Sequence, residues 1–166
     1  MTRRFEYKLF ADYYQFYLQD ECVTGDLSES WTPDAVDRLL AVAPGTIGVG
    51  TVRNMTVPVV VEIADTEPDE DTTKWDQVNE CNFEVQSSRV VVAGCTDYFP
   101  EAARIDVEPG SYRARLYYGS LDALSDDGLD GDDHYKIVLW RGMPGPLEIL
   151  KQRRRPLPAS QPSRSS

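Results

Sequence analysis

Thr46-Ile47-Gly48-Val49-Gly50-Thr51-Val52, a break at Arg53-Asn54, then Val57-Pro58-Val59-Val60-Val61-Glu62-Ile63: this stretch decides the fold class. Two runs rich in β-branched residues and bounded by turn formers read as strands. Arg53-Asn54 marks the turn between them. Pro58 lacks an N–H, so it belongs at a strand start or on an edge.

Toward the N-terminus, Phe5-Glu6-Tyr7-Lys8-Leu9-Phe10-Ala11 places Phe5, Tyr7, Leu9 and Ala11 on one face with period two. Tyr14-Gln15-Phe16-Tyr17-Leu18 continues in the same style, so Tyr7, Tyr13, Tyr14, Phe16 and Tyr17 are expected to crowd one hairpin. Alternation turns some of these rings outward, where they either anchor a partner or complete a core. One helix is signalled. Thr32 is its N-cap, Pro33 occupies the first helical position and Asp34 faces the positive end of the dipole. Trp31 is spaced to staple onto Val36, and Val36, Leu39, Leu40 and Ala43 line one face before Pro44-Gly45 ends the helix.

Toward the C-terminus, strands are expected at 75–85, 88–93, 103–107, 111–118 and 134–140. Pro109-Gly110 reads as a tight hairpin joining the strands around Ile105 and Tyr112, and Tyr117-Tyr118 falls in another hairpin. Many short strands and one helix predict a mostly β chain. The expectation is an antiparallel β-sandwich-like single domain with one short helix over residues 1–145, followed by a disordered basic tail over 146–166.

The 166 residues suit one domain, and their formal net charge is −11. Residues 151–166 carry five bases and no acid, so the first 150 carry 12 bases against 28 acids, or −16. A body that acidic argues against direct binding of nucleic acid, whose affinity comes mostly from Lys and Arg on phosphates. The basic run Lys151 to Arg155 reads as a solvated terminus, a short interaction segment, or a strand of charge folding back on the acidic body. No apolar run reaches transmembrane length and the N-terminus has no long apolar stretch, so neither a membrane span nor a secretory signal is expected. Cys22, Cys81 and Cys95 form no CxxC pair and no even framework, which predicts a reduced, cytoplasmic protein.

No cofactor is expected, because Gly48-Val49-Gly50 is not followed by a helix and no other phosphate loop is present. Cys81 or Cys95 with the single histidine, His134, lacks any local signature of a nucleophile and base, so no enzyme is expected. The most unusual stretch is Ser125-Asp126-Asp127-Gly128-Leu129-Asp130-Gly131-Asp132-Asp133-His134. Its clustered carboxylates allow three readings: a solvated loop, a calcium site, or a patch that steers a basic partner. It lacks the closing Glu of the twelve-residue calcium loop. A second acidic loop brings Glu67, Asp69, Glu70 and Asp71. On one end of the sandwich, the two loops would form a single negative field.

The order of Tyr14-Gln15-Phe16, Trp31-Thr32 opening a helix, Arg53-Asn54, the Val57–Ile63 strand and Asp106-Val107-Glu108-Pro109-Gly110-Ser111-Tyr112 resembles the competence protein J family over residues 5–141. These are small inhibitors of the DNA-entry nuclease. The resemblance implies an acidic, mostly β protein that binds and blocks a nuclease, with immunity proteins of nuclease toxins as a natural extension. The chain departs from that pattern in the acidic stretch Leu121 to Asp133 and in the basic tail. The expected partner is a nuclease or toxin. The residues expected to meet it by mimicking phosphate charge are Asp126, Asp127, Asp130, Asp132 and Asp133, with Glu67, Asp69, Glu70 and Asp71 as a second group. The competing expectation is a calcium- or small-ligand-binding module.

Overall fold

The computed structural model describes residues 2–23 and 25–153. Eleven strands follow in chain order: β1 (Arg3–Phe10), β2 (Gln15–Asp20), β3 (Leu40–Ala43), β4 (Thr46–Gly50), β5 (Thr56–Ala64), β6 (Gln77–Val85), β7 (Arg89–Gly94), β8 (Ala103–Asp106), β9 (Gly110–Gly119), β10 (His134–Arg141) and β11 (Glu148–Lys151). One α-helix, α1 (Pro33–Arg38), lies between β2 and β3. The strands form a six-stranded sheet ordered β1-β5-β10-β9-β6-β11 and a five-stranded sheet ordered β3-β4-β2-β7-β8.

Alternation places the core. Phe16 and Leu18 of β2, Ile47 and Val49 of β4, and Val57, Val59 and Val61 of β5 pack with Leu116, Ile137 and Leu139 between the sheets. Side chains of successive residues point to opposite faces, so Val138 and Trp140 turn the other way. They join Trp75, Val78 and Tyr117 in a second cluster on the outer face of the six-stranded sheet. A third cluster, Leu27, Ala35 and Ala41 with Tyr17 and Trp31, covers the outer face of the five-stranded sheet. Burial of both faces of each sheet explains why so few strands show a clean polar face.

The two-sheet, mostly β, single-helix reading holds, and several local readings change. β1 and β2 belong to different sheets, so the aromatics at 7–17 do not share a hairpin. β8 and β9 also lie in different sheets, which makes Pro109-Gly110 a crossover between layers rather than a hairpin turn. Sequence alternation reports a buried face but not which strand sits alongside. β5 and β10 pair in parallel, from Tyr135 opposite Val59 to Trp140 opposite Ala64, while every other pairing is antiparallel. Pro58 lies one residue before that parallel pairing begins, where its missing N–H costs no ladder bond to β10.

The helix begins as expected: the Thr32 hydroxyl accepts the Ala35 N–H at 3.2 Å. It ends sooner, because Leu39 adopts a left-handed conformation at φ 61° and Leu40 to Ala43 leave as a strand. Ala35, not Val36, is the buried position under Trp31, and Val36 is about half exposed at 51%. The ordered body also runs past 145: Glu148–Lys151 pair with β6 as the edge strand β11, and residues 154–166 of the expected tail lie outside the described residues.

Candidate functional site

The two acidic segments meet different fates. β5 and β6 run parallel to one another, since β5 is parallel to β10 and two antiparallel steps lead from β10 through β9 to β6. Parallel strands need a crossover, so residues 65–76 form a strap along the outer face of the six-stranded sheet. Cationic side chains of β9 and β10 hold it. Glu67 pairs with Arg115 at 2.5 Å, and Arg115 also donates to the Pro68 carbonyl at 2.8 Å. Glu70 and Glu62 share Lys136 at 2.9 and 2.8 Å. Burial alone would lower the Lys136 pKa, but these two carboxylates outweigh it and raise it. Beneath the strap, buried Glu80 bridges Arg113 and Arg115 at 2.9 and 2.8 Å. Asp71 accepts the Thr73 N–H and hydroxyl, which hold its carboxyl below the usual range. Asp69 is exposed.

The Asp-rich segment is instead a folded hairpin at the end of the sandwich where β9 stops and β10 starts. Leu124 bridges Gly131, Asp132 N–H donates to the Ala123 carbonyl at 2.9 Å, and Ser125 N–H donates to the Asp130 carbonyl at 2.8 Å. Gly128 turns the tip at φ 73°, a conformation glycine adopts without strain. The Ser125 hydroxyl and the Leu129 N–H both donate to Asp127, and these bonds lower its carboxyl pKa. Asp126, Asp127, Asp130 and Asp132 are exposed.

Asp133 corrects the expected contact set. It is fully buried, paired with Arg53 at 2.5 Å and accepting the Tyr135 hydroxyl at 2.6 Å. Tyr135 in turn accepts the Val52 N–H at 3.0 Å, and Arg53 donates to the Leu129 carbonyl at 3.2 Å. This cluster ties the hairpin to the β4–β5 crossover, so Asp133 serves as the root of the loop and offers nothing to a partner. The sequence signal for it was available but unpaired: Arg53 lies 80 residues away.

The strap and the hairpin touch at their roots. Trp75 packs against His134 with the rings tilted at 54° and their centroids 5.1 Å apart, and Asp76 accepts the Leu121 N–H at 2.8 Å. His134 also bonds the Asp132 carbonyl at 3.0 Å. The cysteines are elsewhere. Cys81 belongs to the core between the sheets, where burial pushes its thiol up to about 12, and Cys95 follows β7 against the Tyr17 hydroxyl at 3.2 Å. No group of three or more His, Cys, Asp or Glu side chains gathers as a metal-holding set among the described residues.

A groove of about 510 Å³ that sequence reasoning did not assemble lies between the β1–β2 corner and the helix. Tyr13, Tyr14, Gln15, Trp31, Val36 and Arg153 line it, with Leu39 and Gly50 to Val52. Only the exposure of some aromatics was legible beforehand. The groove needs the β1–β2 corner, the helix and the β4–β5 crossover to meet.

No family model matches the chain, and no curated protein matches its sequence. Two solved structures share its fold. The structure titled "Crystal structure of ComJ, inhibitor of the DNA degrading activity of NucA, from Bacillus subtilis" aligns with a TM-score of 0.68 at 18% identity, covering 86% of this chain and 99% of that one. A structure titled "Crocagin biosynthetic gene J" aligns with a TM-score of 0.60 at 19% identity, with the same two coverages of 86% and 99%. The family resemblance read from the order of short motifs therefore reappears as a likeness of the whole two-sheet fold.

Proposed function

We propose that this chain is a non-enzymatic inhibitor that binds and neutralises a nuclease or nuclease-like toxin. The observation that carries the reading is the fold likeness to ComJ over nearly its whole length. The hairpin supplies a physical means. A nuclease site is built to hold a polyanionic backbone, and four exposed carboxylates on a rooted loop offer it negative charge in its place. Opposed fields of this kind speed association and reject wrong partners. The groups assigned to contact are Asp126, Asp127, Asp130 and Asp132. Asp69 lies on the strap, and Glu67 and Glu70 are already engaged by cations of the sheet.

The test is a DNA-degradation assay on nucleases and toxins captured from the source organism with the full chain. Loss of DNA cleavage at stoichiometric protein supports the proposal. A captured nuclease that keeps full activity, or a chain that captures none, overturns it. With a nuclease in hand, replacing the four aspartates by Asn slows association at low salt and flattens its salt dependence.

A further inference from the structure

The groove between the β1–β2 corner and the helix is aromatic and apolar, and much of its lining faces solvent. Tyr13, Tyr14 and Val36 are 70%, 55% and 51% exposed. Tyr13 and Tyr14 are also consecutive left-handed residues at φ 57° and 61°, uncommon for residues with a side chain. Backbone strain of this kind recurs where a ligand or a segment of chain is clamped. Among the described residues that line the groove, Arg153 is the one that carries charge. Its guanidinium donates to the Asp37 carbonyl at the helix at 3.4 Å. An occupant therefore needs apolar surface more than charge of its own.

The position of Arg153 says where such an occupant can come from. It is the last described residue, two beyond the end of β11, and its N–H donates to the Gln77 side chain at 2.9 Å. The described chain thus stops at a residue that is anchored and lines the groove. The sequence continues Arg154-Arg155-Pro156-Leu157-Pro158, and Leu157 is the one large aliphatic residue among positions 154–166. Three residue steps span at most about 10 Å, so Pro156 lies within that distance of Arg153. Prolines on either side of a leucine favour an extended, left-handed polyproline backbone. Segments of that kind dock on aromatic-lined grooves at low cost in entropy, because the conformation is largely preformed.

We propose that the groove is the docking site of the chain's own segment Pro156-Leu157-Pro158. The proline rings lie against Tyr13, Tyr14 and Trp31, and the Leu157 side chain covers Val36. A tether this short gives an effective concentration in the millimolar range, so an intrinsic affinity of about 0.1 mM fills the groove about nine times in ten. Docking would cover an apolar patch that is otherwise exposed, and any outside partner of the groove would have to displace the segment.

The test uses the full chain labelled with ¹⁵N and ¹³C, its Leu157→Ser variant, and one probe, the capped peptide Arg-Arg-Pro-Leu-Pro-Ala-Ser. In the parent chain the Leu157 methyls are expected to give nuclear Overhauser contacts to the rings of Tyr13, Tyr14 or Trp31. Leu157→Ser, made outside the described body, shifts the Tyr13, Tyr14, Thr51 and Val52 amides and leaves the rest of the spectrum native. The peptide then binds the variant saturably at those amides, and binds the parent about tenfold more weakly because the tethered segment competes. Val36→Asp, at a half-exposed helix position, retains the native spectrum elsewhere, loses the Leu157 contacts and takes no peptide. Four results overturn the proposal: no Leu157 contact to the groove rings, identical groove amides in parent and variant, equal peptide binding by parent and variant, or a difference between them that vanishes on dilution. The last would make the segment of a second copy the occupant. None of these readouts needs a nuclease, so the result stands or falls apart from the inhibitor reading.

Discussion

Residues 65–76 and 120–133 are both acidic connections of similar length, yet one is a strap bound to a sheet and the other a hairpin projecting from it. The difference lies in what runs beneath. The strap crosses Arg115 and Lys136, which neutralise Glu67 and Glu70. The hairpin has one cation, Arg53, and it is spent on the one carboxylate that is buried, Asp133. Clustered acids therefore say little about a binding surface until their counter-ions are located. Where the acids are paired they hold a crossover in place. Where they are not, they stay exposed to solvent.

The sharpest way to break the contrast is at the hairpin root. Asp133→Ala leaves Arg53 buried without its partner and should cost about 3–5 kcal/mol, the range for breaking a buried pair from one side. Urea unfolding checks this, and a cost below about 1 kcal/mol would show that the root is not what shapes the loop. The strap should respond less. Lys136→Met leaves Glu62 and Glu70 facing each other half-shielded, for an expected loss of about 1–2 kcal/mol, between exposed and buried pairs. Glu67→Gln, on a carboxylate 63% exposed, should cost about 0.5 kcal/mol or less by the same measurement. Changing Asp126, Asp127, Asp130 and Asp132 together to Asn should alter stability by no more than about 0.5 kcal/mol, as surface substitutions usually do. A large destabilisation would mean that these acids are structural after all.

The smallest effect is in titration. Asp127 should protonate below the ordinary carboxylate range because Ser125 and Leu129 hydrogen-bond its charged form. A lowered folded pKa favours the native state above the unfolded value of about 3.9, and that contribution fades as pH falls through the folded one. Carboxyl NMR on Ser125→Ala should show Asp127 moving back up. Asp71 is held down in the same way by Thr73, so Thr73→Ala makes the parallel measurement on the strap.

Much of the architecture was legible in local pattern. Period-two alternation located β1 and β2, β-branched runs between turn formers located β4 and β5, and Thr32-Pro33-Asp34 marked the helix start that the Thr32–Ala35 bond confirms. The helix end was not legible, because Val36, Leu39 and Leu40 satisfy a helical stripe equally well and only packing against β4 sends Leu40 into a strand. Of the candidate site, the acids at 126–132 were visible as a composition anomaly, while the burial of Asp133 and the assembly of the groove were not. Each depends on residues far apart in the chain.

By itself, then, the sequence determined the β class, the start of the one helix and the concentration of negative charge in two connections, since these follow from local periodicity, capping and composition. Only the tertiary structure decided which strands share a sheet, that β5 and β10 run parallel, and which of two acidic segments has its carboxylates paired with cations of the sheet. Those outcomes turn on contacts between distant residues such as Arg53 with Asp133 and Arg115 with Glu67, and a local pattern carries no record of what will lie across from it.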